Sequence, residues 1–233
     1  MNEERRKSAA RGSGRLIVIE GLDGSGKATQ AGLLTDALAA RGMRIRRISF
    51  PNYASDSSAL VRMYLEGRFG TDPDAVNAYA ASSFFAVDRY AGFKEDWGAD
   101  YAAGAVLIAD RYTTSNAVHQ CAKLPRAAWD GYLEWLFHYE YELLGIPAPD
   151  CVVYLRVDPA VSQCLMSHRY HGDEGKKDIH ERNLAYLERS RSAAEYCAAK
   201  LGWQTVECSE NGGMRQEEDI CGEILARLAD ALG

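Results

Sequence analysis

Residues 21–27, Gly-Leu-Asp-Gly-Ser-Gly-Lys, constrain this chain more than any other stretch. The spacing G-x-x-x-x-G-K, from Gly21 through Gly26 to Lys27, is the core of a Walker A loop. In such a loop successive backbone N–H groups turn inward around a phosphate and the lysine adds its charge. Ahead of it, residues 16–19 form a continuous apolar run, as a strand buried on both faces of a parallel sheet requires. Behind it, Leu33, Leu34, Ala37 and Leu38 make one apolar helical stripe. Strand, glycine-rich loop and helix N-terminus together form a phosphate cradle. Gly21, Leu22, Asp23, Gly24, Ser25, Gly26, Lys27, Ala28 and Thr29 are therefore the nucleotide-binding candidates. One position departs from the pattern. The residue after the lysine is ordinarily Ser or Thr, whose hydroxyl ligates magnesium, and here it is Ala28. Thr29 comes one place late, which on a helix is a different direction.

Period and turn signals continue the alternation of strand and helix. Arg41-Gly42 ends the first helix, and residues 43–50 read as a second strand, Ile45 and Ile48 inward, stopped by Pro51. Residues 52–73 are polar, with Asp56, Ser57 and Ser58 expected to cap a short helix reaching Glu66. Asp74 is expected to cap a long helix running past Tyr90. Residues 105–109 are a third apolar strand, closed by Asp110-Arg111-Tyr112. Helices follow over 113–123 and 126–144, then a strand over 151–157 and a helix over 159–168. The pattern ends with a helix over 180–200, a strand over 203–208, a polar loop over 209–216 and a last helix. This order predicts an α/β fold: a doubly wound parallel five-stranded sheet flanked by helices, one domain over residues 15–233. Ligands of such sheets lie at the carboxyl ends of the strands, where Glu20 to Lys27, Phe50-Pro51, Asp110-Arg111 and Asp158 are expected to converge. Residues 1–14, rich in Arg, Lys, Ser and Gly with no apolar core, read as a flexible tail and not as a secretory signal.

A formal net charge of -6 argues against a nucleic acid as partner, though a local basic cleft can sit in an acidic protein. No apolar run approaches the roughly 20 residues of a membrane span. The six cysteines show no C-x-x-C spacing; Cys151, Cys164 and Cys208 lie in apolar stretches and read as small core residues of a reduced, cytoplasmic protein. Asp110 closes an apolar strand as a Walker B carboxylate does, which makes it the candidate metal ligand. With Ala28 unable to offer a hydroxyl, Asp110 and water would carry more of the coordination of Mg2+. Arg111 beside it has the guanidinium fork that suits the paired oxygens of a phosphate.

Four segments standing in this order, residues 21–30, Phe50-Pro51, Phe85-Ala-Val-Asp-Arg89 and Asp110-Arg-Tyr-Thr-Thr-Ser-Asn116, resemble those of thymidylate kinases over nearly the whole chain from Arg15 onward. The resemblance implies a P-loop kinase with a small lid that transfers a phosphoryl group from ATP to dTMP. It implies that Asp23 holds the region of the acceptor's 3′-hydroxyl, and that Arg111 grips the acceptor phosphate with help from Phe50 and Pro51. By the same resemblance Phe85 stacks on thymine, Arg89 donates to a thymine carbonyl, Asn116 reads the N3 edge, and Ser115 lies beside it. His119 stands where the family often has Tyr near the deoxyribose, so either His119 or Gln120 is expected to occupy that space. Phosphoryl transfer draws its rate from positioning and from cations over the moving group. Lys27 and Arg111 are two such cations, with Asp23 beside them. Residues 22–25 include no arginine, so the further cation is sought in the segment resembling the lid, about residues 168–179, with Arg169 ahead of Lys176 or Lys177. The adenine would lie between that lid and residues 209–213. The family is typically homodimeric, and Trp129, Tyr132, Trp135, Phe137 and Tyr139 are expected at or near a partner surface.

Two other readings share the cradle. A P-loop deoxynucleoside kinase phosphorylates a neutral hydroxyl and needs a general base. Strand two ends in Ser49-Phe50-Pro51 with no carboxylate, while Arg111 is suited to an ionised acceptor. A GTP-dependent switch would carry N-K-x-D and a D-x-x-G after the third strand, and neither is present. A non-catalytic, nucleotide-gated P-loop protein remains the third alternative.

Overall fold

The computed structural model describes residues 14–169, 178–181 and 183–232. Five strands, β1 (Arg15–Gly21), β2 (Ile45–Ser49), β3 (Val106–Asp110), β4 (Cys151–Arg156) and β5 (Gln204–Glu207), form one sheet in the order β2-β3-β1-β4-β5. Every neighbouring pair is parallel. β1 is central, with Ile17 opposite Ile108 on one side and Cys151 on the other. The chain fills the β2 side first and then crosses to β4, so the order reverses at β1. A crevice outside the carboxyl ends of β1 and β3 is where such a reversal places a ligand.

Alternation along β1 builds two cores. Leu16 and Val18 join Leu107, Ala109 and Tyr154 on one face, whereas Ile17 and Ile19 join Val106, Ile108, Val153 and Leu155 on the other. Helix α1 (Lys27–Ala39) covers the second face with Ala31, Leu34 and Leu38, together with Ile220 and Ile224 from the C-terminal helix Glu217–Arg227. Helices α2 (Ala59–Leu65) and α3 (Ala78–Gly92) precede β3. The first face is covered by α4 (Thr113–Cys121), α5 (Trp129–Phe137) and, beyond α6 (Pro159–Arg169), α7 (Leu184–Leu201). The product is a three-layer α/β/α sandwich.

Local boundaries differ from the sequence expectations for physical reasons. Asn77, not Asp74, caps α3, its side chain accepting from the N–H groups of Tyr79 and Ala80. Asp72 is spent instead on a separate one-turn 3-10 helix, Pro73–Ala75, which takes Asp74 into itself. Ser55 does the capping expected of residues 56–58. The helix expected over 126–144 divides into a 3-10 turn Arg126–Ala128, α5 and a π-helical turn His138–Leu143. Residues 209–216 contain a two-stranded antiparallel hairpin, Ser209–Glu210 with Gly213–Met214. All six cysteines are free; Cys208 is buried as expected, but Cys151 is half-buried and Cys164 is exposed, so Cys164 is not a core residue. Of the aromatic residues expected at a partner surface, Trp129 and Tyr132 are consumed by the chain's own core, whereas Trp135, Phe137 and Tyr139 are half-buried. Among the described residues no helix is long and apolar enough to cross a membrane.

Candidate active site

The loop leaving β1 is folded by its glycines. A Cβ on Gly21 would meet Ser25 Oγ at 2.4 Å and the Leu155 carbonyl oxygen at 3.0 Å, so no larger residue fits the first bend. Gly26 sits at φ +81° and caps α1, a conformation that L side chains rarely adopt. Lys27 follows, its Nζ donating to the Leu22 carbonyl at 2.8 Å. Burial, reinforced by the Arg111 charge, pushes the Lys27 amine down to about 8, against Asp23, Asp110 and Glu20, which hold it up.

Glu20, the last charged residue before the loop, is buried and stitches β1 to α4. It accepts from Thr114 Oγ1 at 2.7 Å, from Ser115 Oγ at 2.8 Å and from the Gly21 amide at 2.9 Å. Arg111 lies between these elements with φ +66°, a left-handed conformation that costs a non-glycine residue about 1–3 kcal/mol and recurs at functional sites. Its Nη2 bonds Asp23, and its Nη1 reaches Ser115 Oγ at 3.4 Å and His119 Nε2 at 3.2 Å. Burial opposes the Arg111 charge, but Asp23, Glu20 and Asp110 outweigh it and hold the guanidinium protonated. Burial likewise opposes ionisation of Asp23, and Arg111 and Lys27 outweigh it, so that carboxyl lies well below its usual range.

His119 is neutral: burial and the neighbouring Arg111 push it down to about 3. Its ring stacks at 5.7 Å on His180, which bonds Tyr64 Oη at 2.7 Å. Among the described residues, the Nδ1 of His119 and both amide atoms of fully buried Gln120 have no hydrogen-bond partner.

One turn earlier on α4, Asn116 donates from Nδ2 to the Ser82 carbonyl and to Glu140, both at 3.1 Å. Arg89, from α3, is buried and forms a two-pronged pair with Glu140. It does not pair with its neighbour Asp88, which instead accepts from the Asn52 amide and Ser57 Oγ and ties α3 to the segment after Pro51. Phe85 is half-buried, edge-on to Tyr64 at 6.2 Å. Phe50 packs on Trp97 and Tyr112.

These groups wall one cleft of about 890 Å³, within the range of small-molecule sites. Asp23, Gly24, Ser25, Gly26, Lys27, Ala28 and Thr29 form one end with Asp110, and Met214, Arg215 and Glu217 close it from the hairpin side. Phe50, Pro51, Phe85, Arg89, Ser115, Asn116 and His119 line the remainder, with Arg111, bonded to Asp23, between the two groups. Gly21 and Leu22 do not line the cleft, and Leu22 packs instead against the first core. Asp158, expected here, is also outside it; its Oδ1 accepts from the Ala160 amide at 2.8 Å and caps α6. The side chains of Arg169, Lys176 and Lys177, and residues 1–13, lie outside the described residues. Residues that the sequence reading missed are Glu140 and His180, whose partners are long-range; Glu20 was expected at the strand ends, but not its bonds to Thr114 and Ser115.

The family model for thymidylate kinase matches residues 19–218. A thymidylate kinase of Mycobacterium tuberculosis is 33% identical over 190 residues, covering 81% of this chain and 87% of that protein. The chain belongs to the thymidylate kinase family. Thymidylate kinases of Schizosaccharomyces pombe, 27% identical over 91% of this chain and 90% of that protein, and of Homo sapiens, 28% identical over 85% and 84%, are further relatives. The solved structure of thymidylate kinase from Candida albicans superposes with a TM-score of 0.67 over 94% of this chain and 92% of that one. At 20% identity that likeness establishes the thymidylate kinase fold.

Proposed function

We propose that this chain transfers the γ-phosphoryl group of ATP to dTMP, giving dTDP and ADP by in-line displacement. The observation that carries this reading is the single cleft with a phosphate loop and Lys27 at one end and Phe85, Arg89 and Asn116 at the other, Arg111 between them. A monophosphate acceptor is already ionised, so it needs cations and no general base, and Arg111 supplies a permanently charged fork. Lys27 bears on the ATP phosphates. Phe85 offers an aromatic face to the base, Arg89 Nη1 a donor and Asn116 Oδ1 an acceptor. Asp23, held ionised by Arg111, accepts from the acceptor's sugar. Arg169 is the lid cation we assign to the phosphates.

The residues fit Mg2+, an ion that keeps several waters and binds through one or two carboxylates plus substrate phosphates. Asp110 would hold it from the end of β3, within electrostatic reach of Lys27. The ion would screen the phosphate charge during transfer. Loss of magnesium dependence should then be far larger for Asp110→Ala than for Thr29→Ala, and equal effects would remove Asp110 from this role. We further read residues 15–233 as one domain, the chain as cytoplasmic, consistent with six free cysteines, and the assembly as a homodimer. The exposed stripe Tyr79, Val87 and Tyr90 on α3 supports the dimer better than α5 does.

The deciding experiment is ADP formation with magnesium and dTMP, dUMP, dCMP, dGMP or thymidine as separate acceptors. Turnover led by dTMP is expected. Turnover with thymidine alone would make the chain a nucleoside kinase, and silence with all five would make it a nucleotide-binding protein without this activity.

A further inference from the structure

Glu140 touches neither the loop nor the open cleft. It lies in the π-helical turn His138–Leu143 and is fully buried. Its carboxylate accepts four hydrogen bonds. Oε2 takes Arg89 Nε at 2.7 Å and Thr113 Oγ1 at 2.7 Å, while Oε1 takes Arg89 Nη2 at 2.5 Å and Asn116 Nδ2 at 3.1 Å. A carboxylate has about four lone-pair sites, so this one is saturated.

What the carboxylate consumes decides what its partners can show to a ligand. Of the five N–H donors of Arg89, Glu140 takes one on Nε and one on Nη2, which leaves the second Nη2 hydrogen and Nη1, the latter at a long 3.4 Å from the Tyr112 carbonyl. Asn116 faces two groups that can only accept, the Glu140 carboxylate and the Ser82 carbonyl, so its NH2 must point at them. The orientation of the amide is thereby fixed by chemistry, and Oδ1 is the atom left over. The wall of the cleft thus offers donors from Arg89 beside one acceptor, Asn116 Oδ1. That pair complements a base edge with a carbonyl oxygen beside a ring N–H, as in thymine and uracil. Against cytosine, whose amino group donates and whose ring nitrogen accepts, it is mismatched at both positions.

We propose that Glu140 is a positioning residue that sets the hydrogen-bond polarity of the base-reading wall and so confines the acceptor to 4-oxo pyrimidine monophosphates. The proposal rests on the reading of the cleft as a dTMP site. It assigns selectivity to a residue with no substrate contact, acting through Arg89 and Asn116.

The test is kcat/KM for dTMP and for dCMP in the full-length chain and in Glu140→Gln. The glutamine replaces one of the two acceptors that fix the Asn116 amide with a group that also donates, leaving the Ser82 carbonyl alone against reversal, so the base meets a mixture of N–H and Oδ1 in place of Oδ1 only. The dTMP-to-dCMP ratio should fall by about tenfold or more, with the dTMP loss in KM and the dCMP value rising in absolute terms. A merely structural lesion lowers both substrates together, so a parallel fall with the ratio unmoved would overturn the proposal. If Glu140→Gln does not fold, Glu140→Asp decides. It remains acceptor-only, so an unchanged ratio, despite slower turnover, supports the polarity argument, and a collapse of about tenfold overturns it. Absence of dTMP turnover in the parent chain would overturn the functional reading as well. A selective parent with an unmoved ratio in the variant overturns this proposal alone.

Discussion

ATP binding should take up a proton on Lys27 and weaken steeply above neutral pH. The Lys27 amine is brought from 10.5 down to about 8 by burial and by Arg111, while it donates to the Leu22 carbonyl. At about 1.4 kcal/mol per pH unit, this environment disfavours the ammonium by roughly 3 kcal/mol. Phosphates arriving in the loop place several negative charges against that amine and restore its affinity for the proton. In the free protein at pH 9 roughly one lysine in ten is protonated, against nearly all in the complex, so binding takes up about 0.9 proton there. The apparent affinity should then fall about tenfold between pH 7 and pH 9. The sign follows from the lowered value: the free state holds fewer protons than the bound state throughout the interval from about 8 to 10.5. Calorimetric titration of ATP at pH 9 in two buffers of different ionisation enthalpy measures the uptake directly. Lys27→Met is the control, because Lys123 is also brought down to about 8 and must not be mistaken for it. An affinity flat between pH 7 and pH 9, or an uptake that survives in Lys27→Met, would refute the electrostatic account of the loop.

Three further outcomes follow from particular side chains. Gln120 is fully buried with neither amide atom partnered among the described residues, a situation that costs about 1–3 kcal/mol, so Gln120→Leu should leave stability unchanged or raise its urea midpoint; a marked loss would mean that the amide has a partner in solution. Burial first, and then Asp23, raise Asp178 from 3.8 to about 6, so the folded state binds the extra proton and stability should decline as pH rises from about 4 to 6, a slope that Asp178→Asn removes in denaturation curves. Arg111→Lys keeps the charge but cannot hold Asp23 and His119 on two separate nitrogens; kcat/KM for dTMP should fall about a hundredfold or more, and a loss under tenfold would show that charge alone suffices.

The parts of the site legible in the sequence are those made within one strand-to-helix connection. Residues 16–27 specify strand, loop and cation contiguously, and Asp110-Arg111 ends the neighbouring strand, so parallel pairing of β1 with β3 brings them together without further information. Phe85, Arg89 and Asn116 were readable only through resemblance, because α3 and α4 meet by tertiary packing. Glu140 was not readable at all: it reaches Arg89 across 51 positions from a π-helical turn inside what the apolar period presents as one long helix. The aromatic helix was legible only in part, for a related reason. Periodicity shows that a face is apolar, not which neighbour covers it, and Tyr132 of α5 is covered from within, its Oη bonded to Ser82 of α3 at 2.7 Å. The misplaced cap at Asp74 shows the local version, in which two competing carboxylates and an Asn lay within one short segment and only backbone geometry chose among them.

The alternation along β1 has a consequence for what this chain can tolerate by insertion or deletion. Leu16 and Val18 belong to one core, and Ile17 and Ile19 to the other. Removing one residue from this run would send every remaining side chain into the opposite core and draw the phosphate loop back by one step of the strand. Substitution among Leu, Ile and Val in the strand is a matter of volume. A change in its length is a change of frame, and both cores and the cleft would have to be respecified at once.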